Sequence, residues 1–413
     1  MGTLAEEIFS KKVGREVTAG EVVWADVDYM MSHDSLCELT IQAMEQITAK
    51  PKFPNRIVIP FDHIVPPANI EHAKTQRKIM DFVKKHNLPN FFQEGVCHQL
   101  MIEKGFAMPG TVVIGSDSHT CSYGALGCFG TGMGSTDVGV AFATGKSWFR
   151  IPESFLINVK GRFTKGVYPK DLILWIIATL DVDGANYKSL EYAGETISAM
   201  TISQRITLSN MAVECGAKAG LIEPDDKTVE FLKGMAHAKY QLVKAVDGKY
   251  ERKLDFDVGN LEPQVACPHD LNVLKPIGDV KGTDIQEVFI GTCTNGRYDD
   301  LEIAAHIMKG KRVSRFTRTI IIPASVSIFN QAMEAGLIKI FHDAGCIVCN
   351  PGCGPCIGRH EGTLAPGEAA FTTMNRNFKG RMGSPDSEIY VGSPATAAAT
   401  ALKGKIADPR EVL

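Results

Sequence analysis

The sequence predicts an α/β fold built in three successive units, and three observations carry that expectation. Apolar strand-like runs alternate with amphipathic helical ones almost from end to end, the signature of strands layered against helices. The 413 residues are enough for two or three domains and a large core. A polar stretch with several prolines, from about Tyr250 to Ile277, reads as a linker ahead of the last unit. The expected division is 1–150, 151–270 and 271–413.

The first unit opens its alternation with Arg56-Ile-Val-Ile-Pro-Phe as a strand, followed by a charged amphipathic helix from Ile70 to Lys85. Thr111-Val-Val-Ile-Gly-Ser is the next strand, and the glycine-rich run Gly124 to Gly139 leads into a helix ending near Trp148. In the second unit Glu153-Ser-Phe-Leu-Ile-Asn-Val is a strand, Lys170 to Leu180 a helix, and Ser203 to Gly216 a longer one. The third unit repeats the pattern. Glu287-Val-Phe-Ile-Gly-Thr is a buried strand, Asp299 to Met308 a helix, Thr319-Ile-Ile-Ile-Pro a strand, Val326 to Phe341 a helix and Cys346-Ile-Val-Cys a strand.

Composition excludes several classes of function. Charged residues are 22% and hydrophobic ones 44%, ordinary for a soluble globular protein, and the net charge of −3 provides no basic field for nucleic acid. The longest apolar run, Leu172-Ile-Leu-Trp-Ile-Ile-Ala, is far too short to span a membrane. The N-terminus lacks the basic start and apolar core of a signal peptide. Eleven scattered cysteines suggest reduced thiols plus a metal site rather than a disulfide framework. The expected location is cytoplasmic.

Cys293 in Gly-Thr-Cys-Thr-Asn, with Cys353 and Cys356 in Pro-Gly-Cys-Gly-Pro-Cys, are cysteines placed where a cofactor would use them. A 4Fe–4S cluster usually takes four thiolates, so a three-cysteine site leaves one iron open to act as a Lewis acid. A C-x-x-C pair is more often a zinc half-site or a redox pair, and Cys346 or Cys349 could complete a zinc site. On spacing alone the choice stays open.

Acid–base groups cluster in three short runs at strand ends or in loops: Asp62-His63, Cys97-His98-Gln99 and Asp117-Ser118-His119. A carboxylate beside an imidazole fixes its tautomer and raises its basicity, which proton transfer needs. Asn210 and Glu214 stand four apart, on one face of the expected helix. Arg376 and Arg381, in Asn-Arg-Asn-Phe-Lys-Gly-Arg, offer guanidinium forks that match carboxylates; the bland alternative is a salt-bridged surface loop. Gly130-Thr-Gly-Met-Gly-Ser lacks the final glycine of a dinucleotide loop and is set aside.

Taken together, Gly-Thr-Cys293-Thr-Asn, Cys353-Gly-Pro-Cys356, Asp117-Ser-His119-Thr and Asn375-Arg-Asn-Phe-Lys-Gly-Arg381 resemble the aconitase superfamily over nearly the whole chain. The length and the start Met1-Gly-Thr-Leu-Ala-Glu-Glu-Ile are most similar to the large subunit of its two-subunit branch, which holds 3-isopropylmalate dehydratase, homoaconitase and 2,3-dimethylmalate dehydratase. The resemblance implies three α/β domains around one 4Fe–4S cluster per subunit, held by Cys293, Cys353 and Cys356, with Cys346 and Cys349 as ordinary buried thiols. It implies catalytic roles for Asp62, His63, His98, Asp117, His119 and Glu214, and substrate-binding roles for His33, Ser118, Asn210, Arg376 and Arg381. His63, assisted by Asp62, is expected to protonate the leaving hydroxide.

Two departures follow. The resemblance puts the family's serine base in a swivel domain that this chain is not expected to carry, so a separate small subunit is expected to supply it. His33-Asp-Ser-Leu-Cys-Glu38 stands where the branch usually reads close to His-Asp-Gly-Thr-Gly-Pro, which leaves room for a less common alkylmalate. The expected activity is that of a hydro-lyase on a 2-hydroxy di- or tricarboxylic acid, with 3-isopropylmalate first and 2,3-dimethylmalate or homoaconitate next. A different class, an iron-sensing RNA-binding protein, is disfavoured by the net charge.

Overall fold

A computed structural model describes residues 2–413. Two compact units divide the chain. One takes residues up to Gln93, Cys97–Lys160 and Asp183–Phe256; the other takes Glu94–Val96, Gly161–Val182 and Asp257–Leu413.

The first unit is organised by a five-stranded parallel sheet in the order Asn90–Phe92, Ile57–Pro60, Tyr29–Met31, Val112–Gly115, Phe129–Gly132. Ile57–Pro60 and Val112–Gly115 are buried at every position, as strands covered on both faces must be. The helix Ile70–His86 starts where Asn69 Oδ1 accepts the His72 amide at 2.9 Å and stops at Asn87 in the left-handed region; Lys84, Lys85 and His86 oppose the dipole at its end. Phe9, Phe129 and Phe149 meet edge-on or tilted in the core beneath. A four-stranded sheet, Ala219–Ile222, Ser189–Ala193, Ser154–Lys160 and Arg252–Asp257, and a two-stranded ribbon, Val22–Asp26 with Lys146–Arg150, complete this unit.

The second unit is built on a seven-stranded sheet. Its parallel part runs Glu388–Val391, Ala369–Thr372, Glu287–Ile290, Arg318–Ile321, Ile347–Val348, with Gln264–Ala266 and Leu274–Pro276 added antiparallel at one edge. Helix Pro394–Lys403 packs closely on Tyr298–Met308 because Ala395, Ala397, Ala398 and Ala401 give its buried side little bulk. The α/β alternation holds throughout. The five-stranded sheet falls within 1–150 and the four-stranded one within 151–270, whereas the seven-stranded sheet already starts at Gln264.

Four local expectations need correction. The helix expected to end near Trp148 stops at Thr144, because Gly145 takes φ 72° and caps it. Lys146-Ser-Trp-Phe-Arg then alternates exposed and buried, the period of a strand. Gly336, at φ 76°, splits the helix expected over Val326–Phe341 into Val326–Glu334 and Leu337–Ala344. The helix expected to reach Gly216 ends at Met211 and tightens to a 3₁₀ turn over Ala212–Cys215. The stretch Tyr250–Ile277 is no linker: it contributes three strands.

In both units the candidate site residues follow the C-terminal ends of parallel strands. His33 follows Tyr29–Met31, Asp62 follows Ile57–Pro60 and Asp117 follows Val112–Gly115, on three adjacent strands. Cys293 follows Glu287–Ile290, Cys353 follows Ile347–Val348 and Arg376 follows Ala369–Thr372. Parallel strands all end along one edge, so residues remote in sequence collect there.

Lys170 holds the start of the arginine loop. It is fully buried, and its ammonium donates to the carbonyls of Thr373 at 2.8 Å and Met374 at 3.0 Å. Lys170→Met would leave both carbonyls unpaired in the interior, so it should lower stability by about 2–3 kcal/mol. Chemical unfolding monitored by circular dichroism checks this; an unchanged midpoint would mean the two bonds contribute nothing.

Candidate active site

The first unit gathers six of the expected residues, Asp62, His63, His98, Asp117, His119 and Glu214, into one network of hydrogen bonds and close carboxylate–imidazole contacts. Asp62 is wholly buried; its Oδ1 lies 2.7 Å from His63 Nδ1, and its Oδ2 accepts the Cys97 amide at 2.7 Å. Burial alone would raise the Asp62 carboxyl, but the neighbouring His63 charge and hydrogen bond outweigh it and hold it well below the usual carboxylate range. An ionised Asp62 fixes the proton on His63 Nδ1, leaving Nε2 to exchange protons; Nε2 lies 3.6 Å from Asp117 Oδ2.

Asp117 is the hub. Its Oδ1 lies 2.8 Å from His98 Nε2 and accepts the His119 amide at 2.8 Å. His119 in turn reaches Glu214 Oε1 through Nε2 at 2.6 Å, and His98 Nδ1 lies 3.2 Å from the Tyr123 hydroxyl. Burial works against an ionised Asp117, yet the histidines around it hold its carboxyl well below the ordinary value. Glu214 stands on the tightened turn after Met211, which swings it to His119.

His33 is different. Its ring stacks on His63 with centroids 3.8 Å apart and planes 16° off parallel. Neither ring nitrogen has a hydrogen-bond partner; the nearest carboxylate oxygens belong to Asp117 at 3.8 Å and Asp34 at 3.9 Å. Burial, reinforced by His63, pushes its pKa down to about 4.

Ser118 opens the 3₁₀ helix Ser118–Leu126 and lines a cleft of about 470 Å³ with Lys218 and Trp148. Asn210 is fully buried behind that helix and donates to Ser122 Oγ at 2.8 Å, so it braces the segment from behind. Reading the residues in order missed Asp34, which accepts the amides of His63 and Ile64 at 3.1 and 2.9 Å and shapes the Asp62–His63 loop. It also missed Tyr123. Donor atoms of His33, Asp34, Asp62 and His63, and those of His98, Asp117 and His119, lie close enough to hold an ion. Their carboxylates already receive N–H donors, which makes both groups proton-handling networks first.

In the second unit the sulfurs and the arginine loop meet. Cys293 sits on the helical turn Thr292–Asn295, half-buried, after Thr292 at φ 77°, a conformation rare for a β-branched residue. Arg297 fixes this turn by donating to the Cys293 carbonyl at 2.8 Å and to that of Thr294. Asn375 Nδ2 reaches Cys293 Sγ at 3.4 Å and Thr294 Oγ1 at 3.0 Å. At the far end of the same loop Arg381 Nη2 lies 3.4 Å from Cys356 Sγ, while its buried Nε–H has no partner. Cys353 precedes the turn Gly354–Ile357 and Cys356 lies within it; Gly354, at φ 53°, takes the left-handed backbone that favours glycine. Arg376 lies half-buried in the same loop.

The donor set fits an iron–sulfur group. Amide and guanidinium N–H groups aimed at sulfur stabilise thiolate charge and are what tunes such centres. Cys346 and Cys349 differ: burial pushes their thiols up to about 12 and about 11, and Cys346 lies 3.7 Å from the Met308 sulfur. Cys349 is half-buried rather than buried. No disulfide joins any of the cysteines among the described residues.

Comparison with known proteins places the chain. The profile described as "Aconitase family (aconitate hydratase)" matches residues 6–404. The chain belongs to the aconitase family. It is 47% identical over 412 residues, 98% of each chain, to a probable 3-isopropylmalate dehydratase large subunit of Methanothermobacter thermautotrophicus. It is 50% identical over 393 residues, 94% of this chain and all of the relative, to a probable methanogen homoaconitase large subunit of Methanosarcina mazei. It also resembles a solved aconitase X of Thermococcus kodakaraensis, with a TM-score of 0.51, 12% identity and 91% and 90% of the two chains covered; that likeness concerns the fold alone.

The depressed pKa of His33 has a consequence for this aconitase-family chain. The unfolded histidine takes up a proton below about pH 6.5, whereas folded His33 resists it until about pH 4. Its contribution to stability is therefore full above about pH 6.5 and is lost progressively as pH drops towards 4. His33→Gln should flatten that part of the stability–pH profile in urea unfolding. Parallel profiles for the two proteins would contradict a neutral, buried imidazole.

Proposed function

We propose that this chain is the cluster-bearing large subunit of a hydro-lyase that dehydrates a 2-hydroxy di- or tricarboxylic acid, a 3-isopropylmalate-type alkylmalate being the first candidate. Homoaconitase-type and 2,3-dimethylmalate substrates are the alternatives. One observation carries the reading: a single loop, Asn375–Arg381, presents guanidinium groups while contacting the sulfurs of Cys293 and Cys356. Carboxylate-binding cations beside a cluster's ligands suit a reaction in which carboxylate and metal act on one substrate. The two relatives named as dehydratase and homoaconitase large subunits support the same reaction class.

Cys293, Cys353 and Cys356 would hold a 4Fe–4S cluster. When bound, a cluster with one iron lacking a protein thiolate supplies a Lewis acid for the substrate's hydroxyl and adjacent carboxylate. Arg376 and Arg381 orient the carboxylates and take up charge that grows on them as the carbon-bound proton leaves. His63, its Nδ1 held by ionised Asp62, delivers a proton from Nε2 to the departing hydroxide. Asp117 keeps the surrounding imidazoles oriented, and Glu214 fixes His119. The base that removes the carbon-bound proton comes, in this reading, from a small subunit bearing a swivel domain and a serine; relatives of matching length carry the name large subunit. We place the enzyme in the cytoplasm, where its thiols stay reduced; no helix among the described residues is long and apolar enough to cross a membrane.

Purified without oxygen, the wild-type chain should carry iron, and Cys293→Ser, Cys353→Ser or Cys356→Ser should lose it. Cys346→Ser and Cys349→Ser should keep it. Iron analysis with visible spectroscopy decides; loss in the latter pair with retention in Cys293→Ser would favour a zinc site instead.

Turnover should require the small subunit and follow the unsaturated acid's ultraviolet absorbance with 3-isopropylmalate, 2,3-dimethylmalate or homocitrate as substrate. Arg381→Lys cannot form the bidentate fork, so kcat/KM should fall about 30- to 1,000-fold with iron content unchanged. Near-normal kcat/KM on every acid tested would remove Arg381 from substrate binding.

A further inference from the structure

On the ribbon Val22–Asp26 with Lys146–Arg150, Trp24 stands directly opposite Trp148. Both strands alternate exposed and buried residues. One face buries Val23, Ala25, Ser147 and Phe149; the other leaves Trp24 and Val22 each 62% exposed and Trp148 41% exposed. Two of the chain's three tryptophans thus lie side by side in water. Each large aromatic ring would bury on the order of 150–250 Å² if covered, so leaving both open marks a surface made to be covered.

We propose that this Trp24–Trp148 face is the docking surface of the small-subunit partner, an inference that rests on the heteromeric reading above. Three features point to that occupant. The aromatic centre has a charged rim, with Asp26 opposite Lys146 and Arg150 paired to Glu153 at 3.2 Å, the anatomy of a protein–protein contact. Trp148 is held in place by its Nε1–H on Asp137 Oδ1 at 3.3 Å, so it loses little freedom on binding. The same Trp148 forms a wall of the cleft whose other walls include Ser116, Ser118 and Lys218. A body seated on the tryptophan pair therefore comes up against Ser116 and Ser118, the residues on either side of Asp117, next to the network that a partner completing the reaction has to serve. A second copy of this chain would cover that cleft without bringing any group the chain does not already own.

The test titrates the anaerobically purified chain with its cognate small subunit and follows binding by calorimetry and tryptophan emission. Wild-type emission should shift to the blue as Trp24 and Trp148 leave water. Trp24→Ala/Trp148→Ala should weaken binding at least about 30-fold, with circular dichroism and iron content unchanged, while Trp24→Phe/Trp148→Phe should retain most of it. Trp175→Phe, on the helix Pro169–Leu180 of the other unit, should change neither affinity nor the shift. Wild-type-like affinity of the alanine pair would overturn the surface and leave the heteromeric reading standing. No binding by the wild-type chain would overturn both. Loss of self-association of the chain alone, with small-subunit binding intact, would assign the face to a second copy and sink the proposal.

Discussion

Four imidazoles converge on the carboxylate of Asp117: His98 at 2.8 Å, His119 at 3.3 Å, His63 at 3.6 Å and His33 at 3.8 Å. A carboxylate taken out of water needs donors on its oxygens or it becomes neutral, and His98, His119 and His63 supply that stabilisation. The same side chain accepts the His119 amide and so starts the 3₁₀ helix Ser118–Leu126. One residue therefore follows a strand, caps a helix and stands as the ionised centre of a histidine cluster. Backbone and chemistry are coupled at that point, and the rest of the first unit's site is arranged around it.

The second unit solves a similar problem with sulfur. Its sheet brings the segments of Cys293, Cys353 and Arg376 to the C-terminal ends of parallel strands, and one loop then ties two of the sulfurs by N–H contacts from Asn375 and Arg381. Buried Lys170 anchors the backbone just before that loop. The loop's position is thus determined from both sides, by a buried ammonium behind it and by sulfur atoms in front. The Arg381 guanidinium beside Cys356 gains orientation from this support.

His33 and His63 show how one stacked pair can hold two unlike groups. His63 touches an ionised carboxylate and keeps a usable proton; His33, with no hydrogen-bond partner on either nitrogen, stays neutral down to about pH 4. A neutral ring against His63 excludes water from one face without adding charge.

Much of this was legible in the residues alone. Alternating strand and helix patterns establish the α/β class, because periodicity depends only on neighbours in sequence. The cysteine, Asp–His and arginine motifs mark candidate chemistry for the same reason: each is a short run. What the sequence could not show is which runs meet. The contacts of Asn375 with Cys293, and of Glu214 with His119, join residues separated by 82 and 95 positions, and only the sheet order sets those approaches. Asp34 and Tyr123 looked ordinary because their roles lie in hydrogen bonds to distant partners. Short-range punctuation decided the misjudged boundaries: Gly145 and Gly336 end helices through left-handed backbone, and Lys146–Arg150 is a strand because Val22–Asp26 lies beside it. Local chemistry was written in the chain; within each unit the convergence of that chemistry was decided by parallel strands ending on a common edge.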